Sequence, residues 1–155
     1  MARTPTSATG ADAGFTLVEL MVTLVILGLA STAVVMAIPD GSSVLREESE
    51  RLGARLGAAR DAAIVGGRDM AVRVDASGYG FEQRRGGAWL PAGGGAFAPR
   101  RWPEGMAFIP GPNTPSRIVF DVTGLATPAV VQLQRDGQSW RVIVEAAGKV
   151  RIDAG

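Results

Sequence analysis

The sequence contains neither cysteine nor histidine among its 155 residues. Without cysteine the chain has no disulfide framework and no thiol nucleophile, and its redox compartment cannot be read from composition. Without histidine it lacks the commonest general base, the usual metal ligand and every serine–histidine triad. These absences exclude most familiar hydrolase mechanisms, and we expect no cofactor, no metal site and no catalytic residues.

An excess of charge of one sign is also missing. Sixteen basic and 15 acidic residues give a formal net charge of +1. The chain therefore has no overall basic field of the kind that indicates nucleic-acid binding. It also lacks a Walker loop and a complete dinucleotide fingerprint. We expect neither a nucleic acid nor a small-molecule substrate as a partner.

What the sequence does have is one long, predominantly apolar run, residues 15–38. As a helix these residues span about 36 Å, enough to cross a hydrocarbon core of about 30 Å. A secretory signal peptide fits less well, because the run is too long and lacks a good small-residue cleavage site. The sequence predicts a polar leader peptide, residues 1–14, followed by one transmembrane helix, residues 15–38.

A single carboxylate, Glu19, interrupts the start of this apolar run. Insertion of a charged residue at the centre of a bilayer costs about 2.5 to 3.5 kcal/mol, so such residues are candidate functional residues by default. The position of Glu19 within an apolar segment therefore marks it as a candidate functional residue.

Residues 39–155 predict one α+β domain. From Val44 to about Val65 an apolar stripe recurs at helical spacing and predicts an amphipathic helix. The stripe consists of Leu45, Leu52, Leu56, Ala59 and Ala63. Period-two segments then predict strands at 70–75, 79–84, 106–109, 117–122, 129–134, 139–145 and 149–153. A helix followed by a run of hairpins favours an antiparallel sheet packed on the helix.

Three features of this domain have two interpretations each. Gly53 and Gly57 stand four residues apart and suit a close backbone approach, and we favour packing on the domain's own sheet over a second chain. Asp75 and Asp121 precede glycine-containing turns, which favours Asx turns over a calcium site. Trp102 follows two arginines, and an anchoring ring in a solvated loop is preferred to nucleic-acid stacking.

The N-terminal residues carry a specific resemblance. Gly14 followed by "FTLVEL" resembles the class III signal of type IV pilins and type II secretion pseudopilins. In that family a membrane-embedded prepilin peptidase cuts after the glycine and methylates the new amino group. The resemblance implies cleavage between Gly14 and Phe15, N-methylation of Phe15 and a role for Glu19 in assembly.

The downstream sequence extends the resemblance. The segments "RLGARLGAARDAAIVGGRDMAVRVDASGYGF", "IVFDVTGLATP" and "WRVIVEAAGKVRI" look like the H-type minor pseudopilins (GspH) of the type II secretion system. The family implies a pilin-like fold, in which the transmembrane helix continues into the amphipathic helix. It also implies a structural subunit near the tip of a periplasmic pseudopilus, which helps to export folded proteins across the outer membrane.

The same resemblance implies partners and a location. The partners are the prepilin peptidase, the other major and minor pseudopilins, the inner membrane and the secretion machinery. The expected topology is single-pass in the inner membrane, with the N-terminus in the cytoplasm and residues 39–155 in the periplasm.

Two alternatives stay open at this point. A minor type IV pilin would act in pilus assembly or in DNA uptake, with a salt-dependent affinity for phosphates. The residues available for that contact are Arg135, Arg141, Lys149 and Arg151. A membrane-tethered enzyme would need a convergent polar pocket, which the sequence does not display.

Overall fold

The computed structural model describes residues 16–37, 41–111 and 114–155. By its internal contacts the chain divides into two compact units, Met1–Pro39 and Asp40–Gly155.

The first unit contains helix α1, Leu17–Ala37. The helix begins after Thr16, whose Oγ1 accepts a hydrogen bond from the backbone N–H of Glu19 at 3.2 Å, as an N-cap residue does. The large apolar side chains from Leu17 to Leu29 are 52–77% exposed, so they are not covered within this unit. Among the described residues, no helix combines the length and the apolarity that crossing a membrane requires. The predicted span, residues 15–38, begins and ends outside those residues.

The second unit opens with helix α2, Gly41–Gly66, which is followed by nine described strands and one short 3₁₀ turn at Gly95–Phe97. In chain order the strands are β1 Met70–Asp75, β2 Gly78–Arg85, β3 Ala88–Pro91, β4 Arg100–Arg101, β5 Ala107–Ile109, β6 Ile118–Phe120, β7 Ala129–Arg135, β8 Gln138–Val144 and β9 Val150–Ala154.

These strands form two antiparallel sheets. The first sheet has the order β3-β2-β1-β6, and β4 also pairs with β2. The second sheet has the order β5-β7-β8-β9. The α+β class is therefore confirmed, with two sheets in place of the single sheet that the hairpin pattern suggested.

Helix α2 supplies one side of a common core for both sheets. All five residues of the predicted stripe are fully buried on it: Leu45, Leu52, Leu56, Ala59 and Ala63. They pack in one cluster with Val72 and Phe120 of the first sheet and with Val131 and Val142 of the second. Burying an aliphatic side chain of this size contributes about 1.5 to 3 kcal/mol, so this stripe is the main tie between helix and sheets.

Two strands were not predicted, and both are short. Strand β3 follows a turn in which Gly86 and Gly87 have φ of 57° and 84°, the left-handed conformations that a two-residue hairpin turn requires. Strand β4 has only two residues, which pair with Gly78 and Tyr79 of β2. Both segments are too short to show a clear period of two in sequence. They are extended because each pairs with β2.

Candidate functional site

Glu19 lies in the first turn of α1 with its side chain exposed. Its backbone is satisfied, because its carbonyl accepts a hydrogen bond from Thr23 Oγ1 at 2.7 Å. Its carboxylate makes no ion pair within the described part of the chain, and it lies at the positive end of the helix dipole, which favours an anion. Glu19 is thus an available anion at the start of an apolar helix. The other predicted site residues, Gly14 and Phe15, lie outside the described residues.

A second carboxylate, Glu48 of α2, is 1% exposed and fully engaged. Its Oε1 accepts a hydrogen bond from Arg100 Nε at 2.7 Å, and its Oε2 accepts one from Arg51 Nη1 at 2.7 Å. The hydroxyl of Tyr79 lies 3.3 Å from Oε1. The hydrogen bond to Glu48 raises the pKa of Arg100 above its ordinary value. This network joins α2 to β2 and β4.

Sequence reasoning did not identify Glu48 as a buried acid. A signal was present, since Glu48 lies three residues after Leu45 and four before Leu52, within the apolar stripe of the helix. An acid at a core position needs a buried cation or hydrogen-bond donors. The partner, Arg100, is 52 residues away in a loop-rich stretch, so no local pattern could name it.

Arg55 holds the loop between β3 and β4 against α2. Its Nε donates to the carbonyl oxygen of Ala96 at 2.8 Å, and its Nη2 donates to that of Ala98. Its guanidinium carbon lies 5.0 Å from the ring centre of Tyr79 and 4.8 Å from that of Phe81, within cation–π range. Together with Glu48, which pairs with Arg100, Arg55 fixes the half of this loop that leads into β4.

The predicted anchoring role of Trp102 is confirmed. Its indole N–H donates to the carbonyl oxygen of Asp75 at 2.9 Å, and its ring centre lies 5.1 Å from that of Tyr79. Of the two arginines before it, Arg100 is paired internally with Glu48. The ring therefore fastens the loop onto the first sheet.

The two aspartates form Asx turns, as predicted. Asp75 Oδ1 accepts hydrogen bonds from the Ser77 hydroxyl at 2.6 Å and the Ser77 N–H at 2.8 Å, which lower the pKa of Asp75. Asp121 Oδ1 accepts from the Thr123 hydroxyl at 2.6 Å and from the N–H groups of Thr123 and Leu125 at 2.8 and 3.1 Å. These bonds likewise lower the pKa of Asp121. Both carboxylates are occupied by their own turns.

Gly53 and Gly57 of α2 behave differently. A Cβ on Gly53 would lie 2.8 Å from Cδ1 of Ile152, so Gly53 lets α2 approach β9 closely, and packing on the domain's own sheet is confirmed there. A Cβ on Gly57 would meet no heavy atom within 4 Å, so the sheet does not explain that glycine.

Of the four basic residues considered for DNA contact, two already form ion pairs within the second unit. Arg135 lies 3.3 Å from Asp136, and Arg151 lies 2.8 Å from Glu145. Such exposed pairs are weak, but each places an anion where a phosphate would have to bind.

Comparison with known proteins agrees with this architecture. Helix α2 packed on two antiparallel sheets, together with a separate apolar helix that starts with an acid, defines a pilin-like subunit. Solved structures share the fold. The minor pseudopilin EpsH from Vibrio cholerae matches with a TM-score of 0.61 and 22% identity, over 71% of this chain and 96% of that one. The type IV minor pilin FimU from Pseudomonas aeruginosa matches with a TM-score of 0.55 and 14% identity, over 72% and 92%.

The family models are more specific than the fold. The model described as type II transport protein GspH matches residues 48–148, and the prokaryotic N-terminal methylation motif matches residues 10–37. The chain belongs to the GspH family and is a minor pseudopilin of the type II secretion system. A search of curated proteins found no match. Membership in a family of structural subunits with this motif implies inner-membrane anchoring, processing by a prepilin peptidase and assembly with other pseudopilins.

Proposed function

We propose that the chain is stored in the inner membrane as a precursor and is activated for assembly by a cut between Gly14 and Phe15. Residues 1–14 are the leader, residues 15–38 the transmembrane and assembly helix, and residues 39–155 the periplasmic domain. The observation that supports the proposal is the match to the prokaryotic N-terminal methylation motif over residues 10–37, a range that includes Gly14, Phe15 and Glu19.

The precursor crosses the inner membrane once, with its N-terminus in the cytoplasm. After cleavage the apolar helix leaves the lipid and has to bury its surface again, which drives it into a bundle with the helices of other pseudopilins. The exposed apolar side chains of α1 support this step, because its own unit does not cover them. The subunit lies near the tip of the pseudopilus, next to the major pseudopilin and the other minor ones, and helps to move folded proteins through the outer membrane.

The role is structural and not catalytic. The chain has no histidine or cysteine, and the buried acid of the described domain, Glu48, is neutralised by two arginines. Each carboxylate oxygen of Glu48 already accepts a hydrogen bond from an arginine, so this buried acid connects parts of its own domain and is not open to a substrate.

Glu19 receives the new amino group of a neighbouring subunit. The amine of Phe15 is cationic, and an unpaired charge in an apolar surround is strongly disfavoured. Glu19 follows Phe15 by four residues, about 6 Å along a helix. A neighbour staggered by that distance brings its amine to the free carboxylate of Glu19, so the pair sets the register of the bundle.

The test of processing is mass spectrometry of the protein extracted from membranes. We expect a mature chain that starts at Phe15 and carries a methyl group on its amine. Gly14→Ala should block or slow cleavage, whereas Gly10→Ala, which changes a leader glycine away from the cut, should leave cleavage unchanged. A chain that retains Met1, or one that starts near Ile38, would overturn the proposal.

A further inference from the structure

Strand β9 lies at one end of the second sheet, and only its edge toward β8 is paired. The N–H of Glu145 donates to the carbonyl oxygen of Lys149 at 2.9 Å, and the N–H of Gly155 donates to that of Ser139 at 2.8 Å. Bonded residues alternate in an antiparallel ladder, so every second residue from Lys149 onward points its backbone groups toward β8. The residues between them point theirs outward: Val150, Ile152 and Ala154. Within the described residues, no hydrogen bond reaches these outward groups.

The other sheet edges are better protected. The edge of β6 is covered by the segment that follows it, because the N–H of Thr127 donates to the carbonyl oxygen of Val119 at 2.9 Å. Strand β3 has four residues and ends at Pro91, which has no N–H, and β5 has three residues. Strand β9 has five residues, and the two charges on it, Arg151 and Asp153, are of opposite sign and do not jointly repel an added strand. An open edge of this kind is a template for another strand.

The flank of α2 beside this edge is open at Gly57. Four residues earlier, Gly53 faces β9, since a Cβ there would lie 2.8 Å from Cδ1 of Ile152. Three residues later, Arg60 faces the turn between β8 and β9, since its Nε would lie 2.7 Å from a Cβ on Gly148. Residues three and four apart share a helix face, so Gly57 lies on this flank, yet a Cβ on it would meet no heavy atom within 4 Å. A glycine inside a helix destabilises it, and the domain's own packing does not require this one.

We propose that an extended segment of a partner protein adds to β9 as a further strand and fills the space beside Gly57. An extended backbone carries donors and acceptors at every second residue, which is the spacing of the outward groups of β9. The side chains of Val150 and Ile152 point toward α2 and pack on the core, so the added strand presents apolar side chains to the same face. Ile64, seven residues after Gly57 and 42% exposed, extends this apolar flank.

The test is fluorescence anisotropy on the full chain in a non-ionic detergent. The probe is a fluorescein-labelled peptide of alternating threonine and valine. Two further forms carry N-methyl groups, one on all valines and the other on all threonines, so each lacks N–H donors along one edge. In antiparallel addition the residues opposite Val150 and Ile152 both face α2 and bond to β9. Methylated valines should therefore abolish binding, whereas methylated threonines should leave the affinity within about twofold.

Variants of the chain test the same contact from the other side. Ala154→Pro removes an outward N–H and should weaken binding by about tenfold, whereas Ala154→Val keeps that N–H and should leave binding unchanged. Gly57→Leu fills the open flank and should weaken binding by a similar factor. Gly66→Leu is the matched control, because a Cβ on Gly66 also meets no heavy atom within 4 Å and this glycine lies beside Met70 of the first sheet.

The outcomes are distinct. Loss of binding with only one of the two methylated peptides, together with weaker binding in Ala154→Pro and Gly57→Leu, supports the added strand. Equal binding of both methylated peptides overturns it, and so does unchanged binding in Ala154→Pro. Self-association of the chain that Ala154→Pro abolishes would assign the edge to a second copy and overturn the partner segment. None of these measurements depends on cleavage after Gly14, so they are independent of the proposed processing.

Discussion

The helices α1 and α2 are similar in length but are stabilised in opposite ways. In α1 the large apolar side chains from Leu17 to Leu29 are more than half exposed. In α2 one stripe is fully buried against two sheets, and the opposite face carries ion pairs such as Arg46–Glu50 at 2.9 Å. The comparison teaches that the second helix completes its own domain, whereas the apolar side chains of the first are not covered within its own unit.

Glu19 of α1 and Glu48 of α2 differ in the same way as their helices, in exposure and in pairing. Glu19 is exposed and makes no ion pair in the described residues, while Glu48 is buried between Arg51 and Arg100. A buried acid with both oxygens occupied fixes the geometry of its own domain. A free acid on an apolar helix is available to a partner, which is the role that we propose for Glu19.

The largest expected difference between the two helices appears when one leucine is truncated in each. Leu56→Ala should lower the free energy of unfolding of the domain by about 2 to 5 kcal/mol, because it leaves a cavity in the core. Leu24→Ala, in α1, should leave that free energy unchanged. Denaturation followed by tryptophan fluorescence measures this, since Trp89, Trp102 and Trp140 all lie in the second unit. An equal loss of stability in both variants would show that α1 contributes to the domain core.

A smaller effect is expected from removing the buried acid. Glu48→Ala leaves Arg100 and the Tyr79 hydroxyl without their partner, and should cost about 1 to 3 kcal/mol because the arginines can still reach water. Limited proteolysis should then cut the loop between β3 and β4 faster. Glu50→Ala removes an exposed pair and should cost less than about 0.5 kcal/mol. If the two variants were equally stable, the buried network would not be what holds that loop.

Glu19→Ala tests whether the exposed acid of α1 acts in assembly. Cleavage after Gly14 and membrane insertion should continue, while incorporation into the pseudopilus should fall on the order of tenfold, the effect of losing one charge pair in an apolar bundle. Gel shift measures processing and crosslinking measures incorporation in the same cells. Glu50→Ala is the matched loss of an acid elsewhere. Normal assembly of the Glu19 variant would reduce that carboxylate to a tolerated interfacial charge.

The smallest effect is a pH dependence at Tyr79. Burial raises the pKa of this tyrosine above the ordinary 10.0. The resulting stability is fully present below pH 10 and is lost as pH rises through the folded-state pKa, because the unfolded chain ionises first. Tyr79 is the single tyrosine of the chain, so tyrosinate absorbance reports it directly. Folded protein should titrate at higher pH than denatured protein, and Tyr79→Phe should remove that part of the alkaline sensitivity; coincident titrations would contradict the buried network.

The predictable parts of the fold are those with a local pattern. The stripe from Leu45 to Ala63 was predicted residue by residue, because burial on one helix face repeats every 3.6 residues. Strand β1 was predicted with its bounds, although its first three residues are all buried and do not alternate. Helix α2 begins at Gly41, three residues before the predicted start at Val44. Helix ends are set by local capping and neighbouring structure, which a periodic pattern does not contain.

The N-terminal site was also accessible from sequence, because a cleavage motif is read as a contiguous segment. Gly14, Phe15 and Glu19 need no tertiary structure to be recognised, although their roles stay predictions. The pairing of Glu48 with Arg100 was not accessible, since α2 and β4 come together only in the folded domain.

By itself the sequence determined the apolar helix, the amphipathic helix, most of the strands and the assembly signal, since each depends on residues within one short segment. Tertiary structure decided the division into two sheets and the pairing of Glu48 with Arg100 across 52 positions. The physical reason is that periodicity and capping are local, whereas the partner of a buried charge or a paired strand is chosen by which distant segments the common core brings together.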